Sequence, residues 1–423
     1  MRTRRAVVIA TAVSTVLLAS YAIAWAQVTP VRERGTDFSA SYVAALLIRS
    51  GDGAELYDQH AEHARHLTLL PPGTVINLPF ITPPTTALLA LPLTVLDPGT
   101  AFRVWSLAEL ILLALAVWTA IRAAPWPRHV GGAPRAATCL VALAAGGTYA
   151  FLLLGQFDGL AALGLAAAYA AWRRGQPGAA GFWMALAFAA TKPHLAVGLG
   201  IWLIARRDWR AVAGAAAGAA AVAVVSLALV GPSGVGGFVS ALGFAAGNTP
   251  GTSTLGISGL IASWLGSGAI AMVTGIVGSL LALAACGVLG TRSRGRPGAL
   301  EASLAGAVAL SLVASPHLLP HDLVILAPAF AWCSARAATA ESGSWPGLVA
   351  IRVIAAWAVL GVLTLVDTGN AAPAPPGRLV PLALLGIGVA ALVIPGSPDR
   401  AGNPGRVALA QSGGGRGAGG STA

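Results

Sequence analysis

Gly181-Phe182-Trp183-Met184-Ala185-Leu186-Ala187-Phe188-Ala189-Ala190-Thr191, then Lys192-Pro193-His194, then the run from Leu195 to Ile204, decide how this chain is read. Two apolar stretches flank one charge. Lys192 is the single lysine among 26 basic residues. A cation set between apolar runs costs several kcal/mol unless it faces a polar cavity or a partner, which makes it a candidate site residue. The plainer alternative is a lysine that snorkels to the membrane interface. The rest of the chain has the same character: 56% hydrophobic, 10% charged, mean hydropathy +0.76. A soluble domain carries about 25% charged residues, so this composition describes a polytopic membrane protein. Backbone groups in lipid must be satisfied within the segment, and the long apolar runs therefore predict an all-α helical bundle.

Apolar segments fall at about 6–26, 101–121, 136–154, 157–172, 179–191, 195–205, 211–230, 268–290, 299–315, 321–334, 349–366 and 378–394. With neighbouring ambiguities this gives about 11–13 membrane segments. The first follows Met1-Arg2-Thr3-Arg4-Arg5 and reads as a signal-anchor or first span, with cleavage near Ala24-Trp25-Ala26 the alternative. Arginine clusters at Arg2–Arg5, Arg122–Arg135, Arg173-Arg174, Arg206–Arg210, Arg292–Arg296 and Arg336 mark cytoplasmic loops. Alternation from an inside N-terminus then puts 27–83, 155–158, 192–194, 231–267, 316–320 and 367–377 outside. The 231–267 stretch has no charged residue, in keeping with that side.

Thr85 to Leu96 is apolar but too short to span upright, and is read as re-entrant or interfacial. The large outer loop at 27–83 carries Phe38, Tyr42, Ala45 and Leu46 at helical spacing, predicting a short amphipathic helix on the outer interface. Asp58 reads as the N-cap of a second. Residues 1–394 form the membrane domain, and the Gly- and Ser-rich 395–423 read as a disordered cytoplasmic tail.

On this topology Asp37, Gln156, Asp158, Lys192, His194, His317, His321 and Asp322 all lie at the outer face. Polar accidents would be split between the two faces. A cavity with a carboxylate, a lysine and histidines suits an anionic lipid-linked substrate, since Lys and His⁺ hold phosphate and a carboxylate takes a proton from a hydroxyl. Each residue also has a structural reading. Asp37 caps a helix, Gln156 and Asp158 satisfy a tight turn, and His317 and His321 are turn residues among prolines. Glu109, mid-segment, has Arg103, Arg122 or a neighbouring helix to meet and carries no assigned role.

The order of motifs resembles glycosyltransferase family 87. The likeness runs from a first span, through Asp37-Phe38 heading an outer helix and Leu56-Tyr57-Asp58, to Pro83-Pro84 opening an apolar run. Gly155-Gln156, Lys192-Pro193, Ser315-Pro316-His317 and Pro320-His321-Asp322 extend it across roughly residues 6–335. Two departures stand out: Phe80-Ile81-Thr82-Pro83-Pro84 holds one residue more than the aromatic-x-Pro-Pro of the family, and Asp158 stands where an amide is expected.

The resemblance implies a polyprenyl-phosphate-sugar donor, often mannose, and a glycolipid or glycan acceptor in the cell envelope. It places the active site on the outer side of the plasma (inner) membrane. Asp37 matches the proposed catalytic base. Lys192, His194, Gln156, Asp158, His317, His321, Asp322 and Tyr57 are the substrate-binding candidates.

Membrane lipids are expected partners. Nucleic acid is not, because the net charge of +11 is spread over loops and tail. Neither a P-loop nor a dinucleotide fingerprint sits in a strand–helix context. Cys139, Cys286 and Cys333 read as buried hydrophobes. His60, Glu62, His63 and His66 have spacing that zinc sites use, but a solvated helix face is the stronger reading. No cofactor or metal is assigned. The rival function is a secondary transporter of an anionic solute using Lys192 and Asp158, which predicts two matched halves with broken helices. A non-catalytic scaffold is the third class.

Overall fold

The computed structural model describes residues 2–70, 78–248, 253–266, 268–339, 345–367 and 377–392. The chain divides after Val393, and the expected tail lies outside the described residues. Among the described residues the regular structure is helical throughout, with no strand. Five helices have the length and hydropathy to cross a membrane: Arg5–Ala26, Pro98–Ala123, Trp209–Val230, Ala269–Ser293 and Gly347–Thr364. Gly132–Leu143 and Gly146–Leu154 form a pair bent by 56°. Shorter apolar helices, Pro84–Val95, Pro177–Thr191, Pro193–Arg206, Ser233–Phe244, Leu300–Ala314 and Val380–Leu392, fill the bundle. This is a multi-pass membrane protein.

Burial sorts these helices into core and lipid face. Every residue of Leu300–Ala314 is buried, so a segment apolar all round is here the central helix. By contrast Val8, Val16, Val224, Ile276, Leu280 and Leu281 lie exposed on their helices. So broad an apolar surface is unfavourable in water and belongs against acyl chains. The bend between the Gly132–Leu143 and Gly146–Leu154 helices falls at a glycine pair, a common cause of kinks. A Cβ on Gly147 would lie 2.8 Å from the Pro320 carbonyl, so the glycine lets this helix approach the 320–326 turn.

The ends of the segments gather in two sets. At one end Thr85 donates to the Ala190 carbonyl (2.8 Å), and the Leu255 amide donates to the Leu318 carbonyl (2.7 Å). At the other Arg173 pairs with Glu301 (3.3 Å), Trp172 donates to Asp208 (3.2 Å), and Arg336 donates to the Gly298 carbonyl (3.0 Å). The second set consists of the arginine-flanked ends. One expectation needs revision. The uncharged 231–267 stretch is not a plain loop: it holds helices Ser233–Asn248 and Ile257–Leu265, and Phe238 packs 5.3 Å from the Tyr57 ring. Its many glycines hid a helical pattern that packing enforces. Of the three partners open to Glu109 it meets the neighbouring helix, at the Leu160 amide, and Arg103 pairs with Glu33 (2.5 Å), tying the 27–83 loop to the start of the Pro98–Ala123 helix.

Candidate active site

Thr36, extended at φ −88° and ψ 165°, is the N-cap of helix Asp37–Ser50, and Asp37 is its first residue. The Thr36 hydroxyl turns back to the Glu33 carbonyl at 2.8 Å. Asp37 is therefore not spent as the cap. Its helix is held from below by aromatic packing: Phe38 stacks on Trp105 at 5.8 Å, and Trp105 meets Phe157 edge-on at 4.9 Å. On the other side His66, buried, lies 3.0 Å from the Ser39 hydroxyl and 2.9 Å from the Arg34 carbonyl. Tyr42 donates to the Leu96 carbonyl at 2.7 Å, so the end of the 84–96 segment braces the same helix.

Gly155 ends helix Gly146–Leu154 in the left-handed region, at φ +64°. A side chain would be strained there, and its Cβ would also sit 2.8 Å from Phe38 Cβ. The Gly155 carbonyl accepts the Trp105 indole N–H at 3.0 Å. This turn aims the next residue at helix Asp37–Ser50, and the Gln156 amide donates to Asp37 Oδ2. Asp37 is only partly buried as a residue, which leaves it reachable. Loss of water around its carboxyl raises the pKa above the ordinary carboxylate range, while Lys192 and the Gln156 hydrogen bond pull it back.

Lys192 breaks the helix before it at φ −138°, ψ 71°, as a residue preceding proline tends to. Its amide donates to the Phe188 carbonyl at 2.8 Å, and its side chain is buried between two carboxylates. Nζ lies 2.9 Å from Asp158 Oδ1 and 2.5 Å from Asp322 Oδ1. The other oxygen of Asp322 accepts the Leu319 amide at 2.7 Å, so Asp322 also closes its own turn. His321 lies with Nε2 3.5 Å from Asp322 Oδ1, and its Nδ1 has no partner among the described residues. His194 and His317 face one another edge-on at 6.4 Å, and His194 Nε2 is buried without a partner among the described residues. Burial lowers the pKa of His317, favouring the neutral ring.

Six of the nine residues singled out in the sequence thus come together through direct contacts, in two groups: Asp37 with Gln156, and Asp158 and Lys192 with His321 and Asp322. His194 packs on His317, and both interact electrostatically with Asp322 and Lys192. Tyr57 stands apart. Its hydroxyl donates to the Thr82 carbonyl (2.8 Å) and its ring stacks on Phe80 (5.6 Å), in a separate cluster with Leu56 and Val230. Asp58 caps helix Gln59–Leu67, accepting from the His60 and Ala61 amides at 2.8 and 3.1 Å. Sequence reasoning missed the 253–257 stretch, which runs beside Ser315: a Cβ on Gly256 would lie 2.4 Å from the Ser315 carbonyl. Nothing in an uncharged loop signals that proximity.

Asp158, His321 and Asp322 each offer a donor atom within 4.8 Å of the others, the only such trio among the described residues. The ligand types suit a divalent cation, but the Lys192 ammonium already lies against both carboxylates. On helix Gln59–Leu67, Glu62 accepts the Phe80 amide at 2.8 Å and His66 is engaged with Ser39 and Arg34, so neither is turned to a shared ion.

Comparison with curated proteins returns no match. Two solved structures resemble the chain, both of ArnT from Cupriavidus metallidurans, one in the apo state and one bound to undecaprenyl phosphate. Each is 17% identical with a TM-score of 0.38, a distant likeness. The alignments cover 91% and 90% of this chain and 77% of each ArnT chain. The model of glycosyltransferase family 87 matches residues 80–316, more than half of the sequence. That span holds Gln156, Asp158, Lys192 and His194, while Asp37, Tyr57, His317, His321 and Asp322 lie beyond its ends. Membership selects a membrane glycosyltransferase over the transporter and the scaffold: the chain belongs to glycosyltransferase family 87.

Proposed function

We propose that this protein transfers a sugar, mannose by analogy with the family, from a polyprenyl-phosphate donor to a glycolipid or glycan of the cell envelope. The site faces the outer side of the plasma (inner) membrane. The observation that carries the reading is the pairing of Asp37 with Gln156 beside the Lys192 cluster, on an outer helix that a lipid-borne substrate can reach. Asp37 is accessible, is not used as a cap, and is held in one orientation by an amide that cannot protonate it. Those are the properties of a general base.

The reaction is a single displacement with inversion. The acceptor hydroxyl oxygen attacks the anomeric carbon while Asp37 takes its proton. The bond from that carbon to the phosphate oxygen breaks, and its electron pair leaves on polyprenyl phosphate. Phosphate needs no general acid, but its growing charge needs donors fixed in advance. An ammonium has three N–H groups, and Asp158 and Asp322 account for two of those on Lys192, leaving the third for the phosphate. His194, His317 and His321 add ring nitrogens beside it. Tyr57 and the Pro83-Pro84 segment form the acceptor side, held to the Lys192 segment through Thr85. No metal is assigned a step.

The test is product formation by the purified protein offered polyprenyl-phosphate mannose and membrane lipid extracts. A mannosylated lipid that requires the donor supports the reading. No product from any polyprenyl-phosphate sugar, with folded protein and the full extract, contradicts it.

A further inference from the structure

Helix Asp158–Arg173 carries Asp158 as its first residue, yet the residue at its N-cap is Phe157, whose side chain accepts nothing. The first amides of a helix have no partner of their own, and a buried helix end without one is unfavourable. Here the acceptor arrives from another helix. Glu109, 1% exposed in the middle of Pro98–Ala123, accepts the Leu160 amide on Oε2 at 3.1 Å. Gly159 makes this approach feasible, since a Cβ there would lie 2.3 Å from the Glu109 carbonyl oxygen and 2.7 Å from its Oε2. Two independent features, a missing local cap and a glycine at the point of contact, therefore converge on one carboxyl. Among the described residues no basic side chain forms an ion pair with Glu109: Arg103 is committed to Glu33 and to the carbonyls of Trp25 and Val28.

From these contacts we propose that Glu109 is a positioning residue of the transfer site. It caps the Asp158 helix from the neighbouring span and thereby fixes the Asp158 carboxylate that holds Lys192. The connection runs Glu109 to the Leu160 amide, two residues back within the first turn to Asp158, then 2.9 Å to Lys192 Nζ and 2.5 Å on to Asp322. Glu109 touches no substrate in this arrangement; it acts by setting where the ammonium sits. The claim rests on the proposed reaction for its kinetic consequence, but its structural part needs no substrate.

The experiment compares Glu109→Met, Glu109→Gln, Asp158→Asn and the double variant Glu109→Met/Asp158→Asn, purified in detergent. Misplacement of a reacting group by about 1 Å costs on the order of 100-fold, so Glu109→Met is expected to lower kcat at least about 10-fold. Its KM for polyprenyl-phosphate mannose stays near the wild-type value. Glu109→Gln keeps an oxygen that accepts the Leu160 amide and is expected to retain most of kcat, a recovery that a role depending on charge does not give. If Glu109 acts through Asp158, the double variant is no slower than Asp158→Asn alone, because coupled sites are not additive. Thermal melting of the same four proteins gives the same cycle without donor: the two single losses in melting midpoint are expected to overlap rather than add. Absence of transfer by the wild type would defeat the proposed reaction, and the melting cycle would still decide the coupling. Full activity in Glu109→Met, Glu109→Gln no better than Met, or strictly additive losses each overturn the proposal. Where Glu109→Met does not fold, Gly159→Ala takes its place, as it pushes the same carboxyl away. Normal kcat in that variant overturns the proposal equally.

Discussion

Removing the ammonium of Lys192 leaves Asp158 and Asp322 facing one another in a buried site. Their nearest donor atoms lie within 4.8 Å, where two carboxylates repel by about 3.5 kcal/mol at an effective dielectric of about 20. Breaking a buried pair by deleting one partner costs about 3–5 kcal/mol, which agrees with that figure. Lys192→Met is therefore expected to lose about 3–5 kcal/mol of stability, reduced by any proton one carboxyl takes up. Adding Asp158→Asn removes one of the two charges and should recover at least about 2 kcal/mol. The assay is thermal unfolding in detergent read with a thiol-reactive dye, for which the buried Cys286 and Cys333 serve as reporters. The expected order of melting is wild type, then the double variant, then Lys192→Met. A single variant that melts with the wild type, or a double variant below it, would show that the ammonium does not hold the two carboxylates.

Gln156→Leu removes the donor from Asp37; hydrogen bonds to charged groups contribute about 1.5–3 kcal/mol, so kcat should fall about 10- to 150-fold. The same change raises the Asp37 pKa further, and the acid limb of the pH–rate profile, along which activity falls as Asp37 is protonated, should move to higher pH. Glu62 is buried on helix Gln59–Leu67, and desolvation pushes its carboxyl from 4.5 to about 8. Because the folded state holds this proton more tightly, wild-type stability should decline as pH rises from about 4.5 to about 8 and then level off, while Glu62→Gln flattens the decline in melting measured across that window. In a cysteine-free background, cysteines at the exposed positions Glu55 and Pro316 should react with an impermeant thiol reagent from outside intact cells, and one at Arg174 should not.

The helices were legible because apolar runs and arginine clusters are one-dimensional signals. Each run expected to lie in the membrane is helical over most of its described residues. The polar ends were legible because charge in an apolar chain is rare, and so Asp37, Gln156, Asp158, Lys192, His321 and Asp322 could be picked out by contrast. What the sequence withheld is pairing. Lys192 reads as a free cation until Asp158 and Asp322, 34 and 130 positions away, are seen beside it. Glu109 has no role on paper because its partner is a backbone amide, which no side-chain pattern reports. The 253–257 stretch was silent for the same reason: its link to Leu318 is a main-chain hydrogen bond. Composition announces where charge sits, and only packing decides which charge it meets.

Central to the account is that Asp37 takes the acceptor proton. The most direct measurement is single-turnover transfer from polyprenyl-phosphate mannose by Asp37→Asn beside the wild type, with donor binding measured on the same protein. The amide keeps the shape and a hydrogen-bonding oxygen but cannot accept the proton, so the account predicts transfer slowed by about 100-fold or more with donor affinity largely retained. Transfer near the wild-type rate with a folded, donor-binding Asp37→Asn would contradict it.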